Sequence, residues 1–134
     1  MAKKETQFTV LMKNEPGKLS HLADMISQSE INILGISAYT NGEFGVVRFV
    51  ADNVKKVRAL LNNSDYSNFY ETNVVSHQIV NTPGALSMLS KLLGRKKINI
   101  DNLYCSTSEA GQATTIFLAV SDVEGTLGEL NKGK

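Results

Sequence analysis

Two short phrases bring together the residue types that hold a small charged molecule: Asn14-Glu15-Pro16-Gly17-Lys18-Leu19 and, 67 residues later, Asn81-Thr82-Pro83-Gly84-Ala85-Leu86. Between them they contain the only two prolines of the chain. Each phrase follows a run with strand character, Phe8 to Met12 or Val74 to Val80, and opens an apolar stripe of helical period, so each marks a turn from a strand into a helix. A helix start leaves several N–H groups without intrahelical acceptors, and the helix dipole adds about half a positive charge there. Such a place attracts a carboxylate. Proline at the first helical position is preorganised and lacks an N–H that the turn would orphan, and the glycine beside it keeps bulk away from whatever approaches the remaining amides. The asparagine two positions before the proline carries both a donor and an acceptor for the ammonium or polar side chain of the same ligand. A zwitterion matches this set better than a phosphate. The same residues also make an ordinary helix start, with proline at N1 and Glu15 or Thr82 ahead of it. On the residues alone both readings stay open.

A second match lies in register with the first, Ile31-Asn32-Ile33 against Ile98-Asn99-Ile100. Two matches at one spacing argue for an internal repeat. In the first copy, residues 6 to 13 read as a strand, and Leu19, Leu22, Ala23 and Ile26 form an apolar stripe over a helix at 18 to 29. Ile31 to Tyr39 form a second strand, Asn41-Gly42 supplies a tight hairpin turn, and Gly45 to Ala51 return antiparallel to it. Asp52 or Asn53 caps a helix carrying Val54, Val57, Leu60 and Leu61, which stops at Asn62-Asn63-Ser64. The second copy repeats this with Leu86, Leu89, Leu92 and Leu93 on its first helix and strands near 98 to 107 and 112 to 120. From Asp122 onward the helical signal is poor, because Gly125, Gly128 and Gly133 each cost roughly 1 kcal/mol against alanine.

The run from Phe69 to Val80 is twelve residues without a turn signal, about twice the usual strand length, and reads as one strand shared by both copies. The expected domains are therefore 1–72 and 73–134, meeting in a strand at about 69–80. The order βαββαβ, with short hairpins and right-handed crossovers, gives an α+β class: two ferredoxin-like units in tandem, antiparallel sheets with helices on one face, the second lacking its last strand. A unit of about 67 residues is marginal alone, so the copies should share a sheet or interface. The opposite sheet face and its open edges need cover, which makes a homodimer the expected assembly.

Fourteen basic and thirteen acidic side chains leave a formal charge of +1. That is no field for gathering phosphate backbones or anionic lipid, so neither nucleic acid nor membrane is an expected partner. The single cysteine, Cys105, cannot form an internal disulfide and reads as a small buried residue of a strand in a reducing compartment. No apolar segment follows the basic amino terminus, and the expected location is the cytoplasm. His21 beside the first stripe, His77 in the long strand and Cys105 have no neighbours spaced for a triad or a metal site. No catalytic residue, metal or cofactor is expected. Arg95-Lys96-Lys97 reads as the solvated end of the helix begun at Ala85.

With both turns and both Asn-Ile strand starts in place, the chain resembles the ACT domains, βαββαβ regulatory modules whose first turn commonly reads Asn-x-Pro-Gly-x-Leu. The resemblance runs from residue 6 to about 120 and is closest to tandem ACT proteins of bacteria. In amino-acid-binding members the effector lies between two ACT units, touching the first turn of one and the second strand of the other. The resemblance thus implies one ligand-binding set of Asn14, Glu15, Gly17, Lys18, Leu19, Asn32 and Ile33, and another of Asn81, Thr82, Gly84, Ala85, Leu86, Asn99 and Ile100. It implies a free amino acid as effector and a partner enzyme of amino-acid metabolism as target. Serine-sensing members carry a histidine where this chain has Met12 and Ile79, so serine specificity does not carry over. Lys18 at one turn and Ala85 at the other favour an acidic and an aliphatic ligand respectively. The competing reading is an interaction module that dimerises through its sheet and uses the turns as helix caps without ligand.

Overall fold

The computed structural model describes residues 1–106 and 108–133. The elements follow in the order β1 (Lys3–Lys13), α1 (Lys18–Gln28), β2 (Ile33–Asn41), β3 (Phe44–Ala51), α2 (Val54–Asn62), β4 (Phe69–Val80), α3 (Ala85–Arg95), β5 (Ile100–Cys105), β6 (Ala113–Val120) and α4 (Val123–Leu130). Thr107, the expected last residue of the strand at 98 to 107, lies outside the described residues. The chain divides into two compact units, Thr6–Thr72 and Met1–Glu5 with Asn73–Lys134. Both are α+β units of the ferredoxin-like kind, and β1 and β4 each contribute to both.

In the first unit the strand order is β2-β3-β1-β4. β1 and β3 pair antiparallel with Phe8 opposite Phe49, and β3 pairs antiparallel with β2. Alternation along the strands sends Phe8 and Val10 of β1 and Val47, Phe49 and Ala51 of β3 into one core with Leu22 and Ile26 of α1 and Val57 and Leu61 of α2. Leu22 and Ile26 are four residues apart, so one side of α1 faces the sheet. The rings of Phe8 and Phe49 stack at 5.6 Å. Truncating Phe8, Leu22, Ile26, Phe49 or Leu61, each fully buried, to alanine costs about 2–5 kcal/mol.

The second unit repeats the plan. Its strand order is β1-β4-β6-β5, with β4–β6 and β6–β5 antiparallel. Leu89 and Leu93 of α3 and Leu130 of α4 pack with Val75, Ile116 and Leu118. No strand follows α4 among the described residues; the place of a closing strand, which β4 takes beside β1 in the first unit, is taken here beside β4 by the start of β1. Lys4 and Glu124 form an ion pair at 2.6 Å within this unit.

Several expected details shift. The αL residue before each first helix is glycine, Gly17 at φ 88° and Gly84 at φ 89°, and each is the N-cap. Pro16 and Pro83 therefore stand one residue outside the helix rather than at its first position, because the left-handed glycine makes the final bend into the helix. The β2–β3 turn centres on Gly42-Glu43, since Asn41 pairs with Phe44. The weak helical signal after Asp122 still gives α4, started by the Asp122 carboxylate accepting from the Gly125 N–H at 2.9 Å. Cys105 is exposed rather than buried, because it closes β5 at an edge of its sheet.

Candidate functional site

The two turns are built identically. In each, the N–H of the turn asparagine donates to the far side of a neighbouring hairpin: Asn14 to the Glu43 carbonyl at 2.9 Å, Asn81 to the Gln112 carbonyl at 2.8 Å. The side-chain amides bind the same hairpins, Asn14 Nδ2 donating to the Gly42 carbonyl at 3.4 Å and Asn81 Nδ2 to the Ser108 carbonyl at 2.9 Å. Glu15 and Thr82 donate their N–H groups back to the carbonyls of Lys13 and Val80. Neither α1 nor α3 has a side-chain cap. The asparagines thus tether turn to hairpin, and Glu15 and Thr82 do not cap. The first helical bonds are from His21 N–H to the Gly17 carbonyl and from Met88 N–H to the Gly84 carbonyl. The N–H groups of Leu19 and Ser20, and of Leu86 and Ser87, precede those bonds and have no intrahelical acceptor.

A cavity of about 190 Å³ opens at the first turn, lined by Asn14, Glu15, Lys18 and Leu19 together with Met12, Ala38, Tyr39 and Thr40. Arg48 Nη1 donates to the Tyr39 hydroxyl at 2.8 Å and holds that wall. Glu15 and Lys18 thus line one small concavity, an acidic and a basic residue suited to the two ends of a zwitterion. Leu19, 45 % exposed, supplies an apolar rim.

Asn32 and Ile33 lie elsewhere. They line a second hollow of about 380 Å³ with Ala23, Ile26, Ser27 and Glu30, at the other end of α1. Eleven residues of helix separate the two places, roughly 16 Å at 1.5 Å per residue. One unit alone does not bring its own turn and strand start together. Asn32 N–H donates to Asp52 Oδ1 at 3.1 Å while its carbonyl accepts from the Asp52 N–H at 3.1 Å. Asn99 repeats the pattern with Ser121 Oγ and N–H at 2.8 and 2.9 Å, and its Nδ2 donates to Asp101 Oδ1 at 2.6 Å. Two residues before each of these asparagines the backbone is left-handed, at Glu30 with φ 57° and Lys97 with φ 59°.

In the second set, Thr82 and Ala85 line a larger groove of about 720 Å³ between α3 and α4. Gly84 is the N-cap, Leu86 is half-exposed, Asn99 is exposed, and Ile100 packs on the second core. Sequence reasoning missed Tyr39, Thr40, Asp52, Ser121 and the hairpin carbonyls. The Asn41-Gly42 hairpin signal carried the information that a turn stood near, but the pairing of that turn with Asn14 is not local.

Residues 75–132 match the family described as AHAS small subunit-like ACT domain. The match takes in fewer than half of the 134 residues. The second unit's core, its Pro83-Gly84 turn entering α3 and its Asn99 latch all fall on or beside that match. No curated protein matches the chain. Among solved structures, protein BT0572 from Bacteroides thetaiotaomicron is similar at a TM-score of 0.85 and 20 % identity, over 98 % of this chain and 89 % of that one. The regulatory subunit of aspartate kinase from Thermus thermophilus gives 0.72 and 12 %, over 96 % and 91 %. That from Thermus flavus gives 0.66 and 12 %, over 98 % and 94 %. The fold along the whole chain is that of these regulatory subunits, two α+β units in tandem. No helix among the described residues is long and apolar enough to cross a membrane.

Proposed function

We propose that this chain is a cytoplasmic regulatory protein that binds a free amino acid between ACT units and passes the change to a partner enzyme of amino-acid metabolism. The observation that carries the reading is the duplicated turn. A left-handed glycine delivers the chain into a helix with two N–H groups lacking intrahelical acceptors and no side-chain cap, beside an asparagine held in place by a hairpin. Evolutionary decoration of a mere helix start would place a Ser, Thr, Asp or Asn oxygen on those amides; here the place is left for a carboxylate. Ligand is held by Asn14, Glu15, Gly17, Lys18 and Leu19, or by Asn81, Thr82, Gly84, Ala85 and Leu86, and covered by Asn32-Ile33 or Asn99-Ile100 of another unit. The separation of turn and strand start within one unit supports a homodimer as the working form. The chain itself catalyses nothing; regulation follows because ligand favours one assembly or conformation over another.

A second reading, a ligand-free interaction module, is favoured by the exposed Leu34, Ile36 and Phe44 at the β2–β3 edge of the first unit. A dye-based thermal melt against the twenty amino acids separates the two. Saturation at about 100 times the dissociation constant adds ~2.7 kcal/mol, or several degrees for a chain of this size. A shift with one or a few amino acids, lost in Asn14→Ala or Asn81→Ala, is expected; a flat panel selects the interaction module.

A further inference from the structure

The internal repeat supplies its own template for the groove between α3 and α4. In the first unit Tyr66, 3 % exposed and part of the core, packs against the start of α1, beside a hollow of about 500 Å³ lined by His21, Met25, Leu60 and Asp65. Its hydroxyl lies 2.8 Å from His21 Nδ1 and donates to the Lys18 carbonyl at 3.1 Å. Sixty-seven residues on, the equivalents of His21 and Lys18 are Met88 and Ala85. Both line the groove of the second unit, and Met88 is 75 % exposed. The floor is apolar, from Ile79, Leu89, Leu92 and Leu130. None of residues 131–133 enters it: Asn131 is bonded to Ala2, and Lys132 to Glu129 at 3.1 Å.

The rim differs from the first unit in charge. Asp24 and Gln28 of α1 are replaced at the equivalent positions of α3 by Lys91 and Arg95, both lining the groove. The one carboxylate there, Glu129, is already matched by Lys132. The groove therefore carries a basic rim, Lys91 and Arg95, over an apolar floor. In the first unit the tyrosine plug is itself preceded by an acidic residue, Asp65.

We propose that this groove is a docking slot for an acidic, tyrosine-bearing segment of a partner protein, which seats its ring where Tyr66 sits in the first unit and places a carboxylate near Lys91 and Arg95. The opening of about 720 Å³ is within the range of ligand sites. Val80 and Leu86, 52 % and 50 % exposed, extend apolar surface beside it.

The test uses the full chain with labelled methyl groups and a peptide of the protein's own plug, residues 63–68, Asn-Ser-Asp-Tyr-Ser-Asn. Saturable chemical-shift changes are expected at the methyls of Met88, Leu89, Leu92 and Ile79. Replacing the peptide tyrosine by alanine should weaken binding at least about tenfold. Arg95→Glu, at an exposed position, should weaken it several-fold without altering the fold. No saturable shift, shifts confined to the first unit, or equal binding of the alanine peptide would overturn the proposal. So would equally tight binding of N-acetyl-tyrosine amide, which would make the groove a small-molecule site.

Discussion

Asn131 clasps the peptide of Ala2 from both sides: its Oδ1 accepts from the Ala2 N–H at 2.8 Å and its Nδ2 donates to the Ala2 carbonyl at 3.1 Å. Residues 129 positions apart are thereby joined inside one unit. Removing residues 1–5 takes away both bonds, the buried Ala2 methyl and the strand beside β4. At ~1 kcal/mol per hydrogen bond the loss is at least about 2 kcal/mol. Hydrogen exchange should show faster amides at Val74–Val80 and α4, with α1 and β3 little changed.

Backbone strain at the repeated turns can be read in both directions. A Cβ at Gly17 or Gly84 meets nothing within 4 Å, yet both have φ near 90°. Gly17→Ala and Gly84→Ala should each cost about 1–2 kcal/mol through the left-handed backbone alone. Glu30→Gly and Lys97→Gly, where non-glycine residues already hold positive φ, should instead gain up to about 1 kcal/mol. Urea titration of the four variants checks both signs.

The two asparagine tethers are unequal. Asn81 donates at 2.9 Å and Asn14 at 3.4 Å, so Asn81→Ala should cost about 1 kcal/mol and Asn14→Ala under about 0.5 kcal/mol. Chemical denaturation measures this difference in the absence of any ligand.

Burial pushes the Tyr66 phenol above its ordinary value, and the nearby Asp65 carboxylate adds to the effect. A pKa raised on folding means that the protonated, folded form is favoured. The stabilisation is whole below the unfolded phenol value of about 10 and fades as pH climbs through the folded value. Tyr66→Phe lacks this dependence and loses the bonds to His21 and Lys18. The gap in stability between the two proteins, about 1 kcal/mol or more at neutral pH, should narrow above pH ~10 in alkaline melts.

Much of the fold was legible because its signals are local. Pro16-Gly17 and Pro83-Gly84 mark turns, and Leu22/Ile26 and Leu89/Leu93 mark helix faces by spacing alone. The exact helix start was misplaced because proline is the louder residue, while the φ-positive glycine after it sets the boundary. α4 carried two glycines against it, and burial of Thr126 and Leu130 with the Asp122 cap outweighed that local cost. Tyr66 was invisible as a core residue, a single ring in a stretch rich in Asn and Ser. Cys105 was misjudged because edge position depends on strand order, which no local pattern encodes. The candidate site was legible in its turns and not in its walls: Tyr39 reaches the first turn, and Asp52 reaches Asn32 at the other end of α1, only through pairing across the sheet.

The clasp between Ala2 and Asn131 also sets an order of events during synthesis. Loop closure over so many residues carries an entropic cost that only the later contacts repay. Thr6–Thr72 is a contiguous stretch and can complete itself while translation continues. The remainder is not, since its outermost strand is made before Thr6–Thr72 and its docking partner after it. At about 5–20 residues per second, the opening residues spend seconds as an unpaired strand. The charged Lys3, Lys4 and Glu5 in that strand would discourage it from pairing with a neighbouring nascent chain during the wait.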